Sequence, residues 1–162
     1  DEIAEAFTQL KQQGKVLHFG VSNFTPSQVS LLNSRVKVEI NQIQCSVNYL
    51  HPFTDGILDQ CQELKIVPMA WSPLGGGNLF ANTDDERTLR IRAVAEILAS
   101  QYSSSPDVIL LSWLMQHPSN IIPVLGTSKP ARIQAALKAI DIKLTREEWY
   151  MLWRASTGKE VA

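Results

Sequence analysis

Four side chains that could bind a flat, amide-bearing ligand lie at or near the ends of strand-like segments. Ser22 and Asn23 follow the apolar run Val16–Val21, and Gln42 lies in a second such run. A side-chain amide both donates and accepts hydrogen bonds, so Asn23 and Gln42 could hold a carboxamide from two directions. Trp71 ends a third run, where its indole could stack on a planar ring. Each residue also has an ordinary structural interpretation. Ser22 and Asn23 could simply form a turn, Gln42 could be an interior amide with its hydrogen bonds satisfied, and Trp71 could be a core residue.

A second candidate site follows a fourth apolar run. It comprises Gly126, Thr127, Ser128, Lys129 and Arg132. Hydroxyls and backbone N–H groups here precede a predicted helix with Pro130 in its first turn, and a helix start attracts anions. The guanidinium of Arg132 also matches the geometry of a phosphate. The segment therefore indicates either a phosphate site or an ordinary helix start with a solvated basic face.

The segment between these two sites, residues 72–85, is long and irregular. Its glycines allow the backbone to approach a pyrophosphate closely. It is not a phosphate loop of the nucleotide-hydrolase kind, because no Lys-Ser/Thr follows and no G-x-G-x-x-G spacing is present. A segment of this length in a compact domain suggests a cover over a ligand, and a flexible loop is the alternative.

Strand and helix patterns alternate along the chain, which predicts a parallel α/β sheet with right-handed crossovers. The predicted strands are Val16–Val21, Val38–Gln44, Ile66–Trp71 and Ile121–Leu125. The predicted helices are one around Ile3 to Leu10, then Pro26–Asn33, Asp55–Leu64, Glu86–Ser100, Pro106–Gln116, Pro130–Ala139 and Arg146–Ala155. Because parallel strands place their carboxyl ends at one edge, we expect the polar groups described above to share that edge.

The number of units predicts an incomplete barrel. One helix without a preceding strand, followed by four strand-helix units, is about half of an eightfold (β/α) barrel. Such a piece would leave sheet edges and one sheet face without the strands they need. We therefore expect residues 1–162 to form one partial barrel domain: a fragment, a truncated product, or a half that pairs with a missing half-barrel or with itself.

Composition excludes several classes of function. The net charge of -1 comes without a basic stripe, which argues against a nucleic-acid partner. The longest apolar run, Val108–Met115, is too short to cross a bilayer, so no membrane role is expected. Cys45 and Cys61 lack any metal-ligand spacing, which favours buried free thiols in a reducing compartment. We therefore expect a cytoplasmic protein.

Three motifs carry a resemblance to a known family. The segments GKVxHFGVSNFTPxQ, PMAWSxLGGGxLF and LTRxxWxxxxxAxxG occur here in the order that the aldo-keto reductases have them. The sequence resembles the C-terminal half of that family, most closely its bacterial YdhF-like oxidoreductases. The resemblance implies the fold class α/β, a (β/α)8 TIM barrel represented by about strands 5–8 with their helices.

The resemblance also implies a function and the residues that serve it. Relatives reduce aldehydes and ketones to alcohols with NADP(H), without metal. By this likeness Ser22, Asn23 and Gln42 hold the nicotinamide amide, and Trp71 stacks on the ring. The remaining implied cofactor contacts are Ser72, Leu74, Gly75, Gly76, Gly126, Thr127, Ser128, Lys129 and Arg132, the last near the 2′-phosphate.

No residue of this sequence is assigned a catalytic role. In the family a Tyr donates the proton with the help of Lys, Asp and His, and all four come from the half of the barrel that is not present here. We therefore expect this chain to be inactive alone, with the small carbonyl substrate belonging to the complete protein. Two alternatives stay open: a non-catalytic nucleotide-sensing or half-barrel assembly module, and a different barrel that uses residues 127–132 for a phosphorylated substrate.

Overall fold

A four-stranded parallel sheet organises the chain. The computed structural model describes residues 1–161. The strands are β1 (Gly20–Ser22), β2 (Ile40–Gln44), β3 (Val67–Trp71) and β4 (Ile122–Pro123), and they lie side by side in that order. Every pairing is parallel. The predicted α/β class with a parallel sheet is confirmed.

Helices connect and flank the strands. They are α1 (Glu2–Gln12), α2 (Pro26–Asn33), α3 (Ile57–Leu64), α4 (Glu86–Gln101), α5 (Pro106–Met115), α6 (Pro130–Leu137) and α7 (Arg146–Thr157). Short 3-10 turns occupy His51–Phe53, Gly75–Phe80 and Lys138–Ile140. All seven predicted helices are present, with ends that differ by a few residues.

Side-chain caps fix where several of these helices begin. Thr25 and Gln28 form a reciprocal capping box at α2, and Thr145 with Glu148 does the same at α7. The Asp85 carboxylate accepts the backbone N–H of Thr88 at α4. Each cap satisfies N–H groups that the first helical turn would leave without partners.

The two faces of the sheet differ in their surroundings. Ile43 and Ala70 point to one face and lie in a core cluster with residues of α4, α5 and α7. A second core cluster packs residues of α1, α2 and α3 around Val29 and Val38. Residues alternate along a strand, so Gln42, Met69 and their neighbours point to the opposite face, where they are half-buried. We call this opposite face the site face.

The first predicted strand, Val16–Val21, is longer than the strand observed, and its early residues are not enclosed. Only Gly20–Ser22 pair with β2, whereas Leu17 is 74% exposed. β1 has a paired neighbour on one side only, so the residues before Gly20 are not enclosed as an interior strand would be. Phe19 is still buried, because its ring stacks on Phe7 of α1 with centroids 4.0 Å apart.

The fourth predicted strand is also shorter than expected. Pairing with β3 covers Ile122 and Pro123, rather than the whole of 121–125. Pro123 has no N–H to give to a sheet ladder, and proline is accordingly found on edge strands such as this one. The chain therefore leaves the sheet early and turns towards α6.

An aromatic cluster joins α5 to α7. The Trp113 indole N–H donates to the carbonyl of Trp149, and the Trp149 indole N–H donates to the carbonyl of Trp113, each at 3.0 Å. The two rings stack with centroids 4.8 Å apart. Phe53 packs against both of them and against the edge of His117. Among residues 1–161, no helix is long and apolar enough to cross a membrane.

The burial of His117 predicts a pH dependence of stability. Desolvation lowers the pKa of His117 and outweighs the opposing attraction of Asp59. The unfolded chain, with a His pKa of about 6.5, then binds more protons, so the free energy of unfolding should fall as pH drops below that value. Urea unfolding between pH 5 and 7.5 should show a shallower pH slope in His117→Gln than in the parent. Equal slopes would contradict this role of His117.

Candidate functional site

The sheet brings the predicted amide-binding side chains to one edge. Ser22 is the last residue of β1 and Trp71 the last of β3. In the register of the sheet Ser22 pairs with Gln42, and Gln44 pairs with Trp71. Residues paired in this way, or two apart on one strand, point to the same side. Ser22, Gln42 and Trp71 therefore share the site face near its carboxyl edge.

Hydrogen bonds join these residues into one group. The Trp71 indole N–H donates to Oδ1 of Asn23 at 3.0 Å, and Nδ2 of Asn23 donates to Oγ of Ser22 at 3.3 Å. The Ser22 hydroxyl donates to the backbone carbonyl of Gln42 at 3.2 Å. We call Ser22, Asn23, Gln42 and Trp71 the amide cluster. The structure thus brings together four residues that are spread over 50 positions of the sequence.

A left-handed backbone conformation follows both β1 and β3. Asn23 has a φ of 56° and Ser72 a φ of 50°, values that residues other than glycine rarely adopt. Asparagine tolerates this region better than most residues, because its short polar side chain bonds locally. The chain therefore turns sharply at these two points, and non-glycine residues in such conformations tend to cluster at functional sites.

The amide cluster keeps hydrogen-bonding capacity for a ligand. Among the described residues, no group bonds to the half-buried side-chain amide of Gln42. An amide nitrogen carries two hydrogens, so Asn23 retains one after its bond to Ser22. The cluster can therefore donate from Asn23 and both donate to and accept from a ligand at Gln42. A planar carboxamide has the complementary pattern.

The glycine-containing segment after β3 forms a 3-10 turn and fits closely against a neighbouring loop. Gly75 and Gly76 have φ values of 64° and 65° within the 3-10 turn. A Cβ on Gly75 would lie only 2.6 Å from Nδ2 of Asn48. Leu74 is half-buried, and its side chain packs against the hydrophobic core. Ser72 is half-buried beside Trp71 in the chain.

The predicted phosphate segment follows β4, the strand that pairs with β3. The Lys129 backbone N–H donates to Oγ1 of Thr127 at 3.2 Å, which closes a small turn before α6. Gly126 has open space where a side chain would be, and Ser128 is exposed. Lys129 and Arg132 are exposed as well, and neither forms a salt bridge with any of residues 1–161.

The amide cluster lies on an open edge of this chain, where Ser22 and Asn23 are exposed. A surface hollow of about 460 Å³ lies between α1 and Arg35, and another of about 540 Å³ lies between α4 and α7. Neither is lined by any residue of the amide cluster or by residues 126–132. Any ligand of the cluster would therefore need further walls to be enclosed.

Two residues that support the site were not predicted from the sequence. Asn48 accepts the Ser46 hydroxyl at 2.6 Å and packs against Gly75. Arg92 of α4 donates from its guanidinium to the carbonyls of Leu79 and Ala81, so it holds the end of the glycine-containing segment. Neither residue belongs to a spacing motif, and only the folded chain brings them to the segment.

Comparison with known proteins gives consistent matches over nearly the whole chain. The sequence profile of the aldo/keto reductase family matches residues 1–156. Oxidoreductase YdhF of Escherichia coli is 43% identical over 99% of this chain, and the uncharacterized oxidoreductase YcsN of Bacillus subtilis is 42% identical over 98%. In each case the match covers 54% of the relative, so the chain spans about half the length of these curated relatives.

A solved structure has the same fold. The thermostable aldo-keto reductase Tm1743, crystallised with the inhibitor epalrestat, superimposes with a TM-score of 0.82 at 24% sequence identity. The superposition covers 94% of this chain and 53% of that protein. The arrangement of strands and helices described above is therefore an arrangement seen in that reductase.

The contact between Gly75 and Asn48 predicts unequal effects of alanine within one turn. Gly77→Ala meets no neighbouring atom and should cost only its left-handed backbone, about 1–2 kcal/mol. Gly75→Ala carries the same backbone cost and a clash with Asn48, so it should lower the free energy of unfolding further. Urea denaturation measures both.

Two further variants separate the clash from the backbone effect. Gly126→Ala should be nearly neutral, since Gly126 has neither a positive φ nor a close neighbour. Adding Asn48→Ala to Gly75→Ala should restore part of the free energy of unfolding that Gly75→Ala loses. Equal destabilisation by Gly75→Ala and Gly77→Ala would show that Asn48 does not confine this turn.

Proposed function

The chain belongs to the aldo/keto reductase family, as its motifs predicted, and we propose that it is the cofactor-binding half of an NADP(H)-dependent reductase of aldehydes and ketones. Family membership supports an oxidoreductase that acts on carbonyl groups. The cofactor, the substrate class and the division into halves are the parts we propose. The amide cluster is the observation that carries the proposal.

The cluster fits the nicotinamide end of such a cofactor. Asn23 and Gln42 offer amide donors and acceptors, and the Trp71 indole lies beside them on the same edge. We assign Ser22, Asn23 and Gln42 to the carboxamide and Trp71 to one face of the ring. When bound, the reduced nicotinamide supplies a hydride to the carbonyl carbon of the substrate. The protein's task is to orient the ring so that its other face is open to that carbon.

The segments beside the cluster suit the rest of a dinucleotide. Residues 72–76 follow Trp71 directly, and their glycine backbone can approach a pyrophosphate. Thr127, Ser128 and the start of α6 offer hydroxyl and N–H donors further along the edge. Lys129 and Arg132 have no ion-pair partner among the described residues, so both charges are available to a phosphate. We assign Arg132 to the 2′-phosphate that distinguishes NADP(H) from NAD(H).

The missing walls and the missing proton donor have one explanation under this proposal. The chain spans about half the length of its curated relatives. We propose that the other half of a (β/α)8 barrel supplies the Tyr, Lys, Asp and His that protonate the substrate oxygen, and that it completes the carbonyl pocket. Under this proposal the chain would be inactive without that half. Two buried free cysteines fit a cytoplasmic location.

The half-length match also favours a second candidate function. The chain could serve as a non-catalytic module that senses a nucleotide or assembles with a partner half-barrel. The natural gene distinguishes these two functions. An upstream sequence that is in frame and encodes the four catalytic residues would support the enzyme. The complete gene product should then oxidise NADPH in the presence of an aldehyde, and nucleotide binding without turnover would favour the module.

Removal of Arg132 tests the cofactor assignment. In the complete gene product, Arg132→Ala should weaken NADPH binding by about 10- to 100-fold, the range expected when a hydrogen bond between charged groups is lost. Binding of NADH should change by less than about twofold, because NADH has no 2′-phosphate for the guanidinium to contact. Fluorescence titration with each cofactor gives both dissociation constants.

Lys138→Ala is the matched control, because Lys138 carries the same charge at the opposite end of α6. It should leave both affinities unchanged. If Arg132→Ala weakened NADPH and NADH equally, Arg132 would not contact the 2′-phosphate.

A further inference from the structure

Asn41 is the neighbour of Gln42 on β2, and it points away from the site face. It is 1% exposed, among the most buried polar residues of the chain. Its Nδ2 donates to the backbone carbonyl of Phe24 at 3.0 Å. A buried side chain on the helix-covered face of the sheet is thus bonded to the loop that carries Asn23.

That loop is tied to β2 at two consecutive residues. The backbone N–H of Asn23 donates to the carbonyl of Gln42 at 2.9 Å, and the carbonyl of Phe24 accepts from Asn41. Asn23 lies between these two attachments in its left-handed conformation. The first bond orients the peptide plane before Asn23, and the second orients the plane after Phe24, so the turn through Asn23 is held at both ends.

Packing alone does not explain an amide at position 41. Oδ1 of Asn41 is buried and has no hydrogen-bond partner among residues 1–161. A buried acceptor without a partner opposes folding, and a leucine of similar size would avoid that penalty. What leucine cannot do is donate to the Phe24 carbonyl.

We propose that Asn41 is a positioning residue for the nicotinamide site. It holds the Phe24 carbonyl so that the Asn23 amide faces both Trp71 and the ligand carboxamide, without touching the ligand itself. The inference rests on the proposed function and adds a residue to it from the opposite face of the sheet. Its signature is a loss confined to the nicotinamide end of the cofactor.

The test compares two ligands in Asn41→Leu. The complete gene product is titrated with NADPH and with 2′-phospho-ADP-ribose, which lacks the nicotinamide. Asn41→Leu should weaken NADPH by about tenfold, and change the affinity for the analogue by less than about twofold. The matched control is Gln116→Leu, which removes a half-buried amide that bonds to the Leu144 backbone and to no residue of the amide cluster. The control should not alter the ratio of the two affinities.

A second readout needs no ligand. The indole N–H resonance of Trp71 reports its bond to Asn23, so this resonance should move in Asn41→Leu and stay in place in Gln116→Leu. The positioning role would be overturned if the Trp71 resonance of Asn41→Leu did not move. It would also be overturned if Asn41→Leu left the ratio of the two affinities unchanged, as it would by weakening both ligands equally. If Asn41→Leu does not fold, Asn41→Ala is judged by the same criteria. Failure of the parent protein to bind either ligand would instead refute the proposed function.

Discussion

The site depends on one hydrogen bond, from the Trp71 indole to the side-chain oxygen of Asn23. Trp71 ends β3 and Asn23 directly follows β1, and these strands are not neighbours, because β2 lies between them. Adjacent strands are about 4.8 Å apart, so the indole must extend across the end of β2 to reach Asn23. The bond forms because β1 and β3 are parallel to β2 and end at the same edge of the sheet. It places an aromatic ring, two amides and a hydroxyl on one small area of the sheet.

The rest of the chain provides a rigid support on the other side of the sheet. Ile43 and Ala70 pack against helices on the face opposite the amide cluster. The stacked and mutually bonded Trp113 and Trp149 join two of those helices. Apolar burial on one face can therefore stabilise the sheet while the other face keeps half-buried polar groups. The left-handed residues Asn23 and Ser72 are held by this support at the edge where a ligand would bind.

Much of the fold and the composition of the site could be predicted from the sequence. Thr25-Pro26 and Thr145 with Glu148 are local start signals, and their helices begin where the signals stand. Strand order alone predicts that Ser22, Gln42 and Trp71 share one edge, and they do, because parallel strands share a direction. The sequence does not predict the bond between Trp71 and Asn23, since this bond depends on the side-chain path across β2.

The errors come from interactions that lie outside any local pattern. Val16–Val21 has the composition of an interior strand, but Leu17 has no partner strand to cover it. Asn41, Asn48 and Arg92 act on loops 11 or more residues away, a separation at which the sequence carries no periodic signal.

The indole N–H resonances of the four tryptophans test the central claim most directly. In a ¹⁵N-labelled sample titrated with NADP⁺, we predict that the Trp71 signal shifts more than those of the other three tryptophans. The Trp71 signal is assigned by its loss in Trp71→Phe. The signals of Trp113 and Trp149 should stay in place, because their N–H groups are bonded to each other's backbone. Saturable binding of NADP⁺ that leaves the Trp71 signal unmoved would contradict a nicotinamide site at this edge of the sheet.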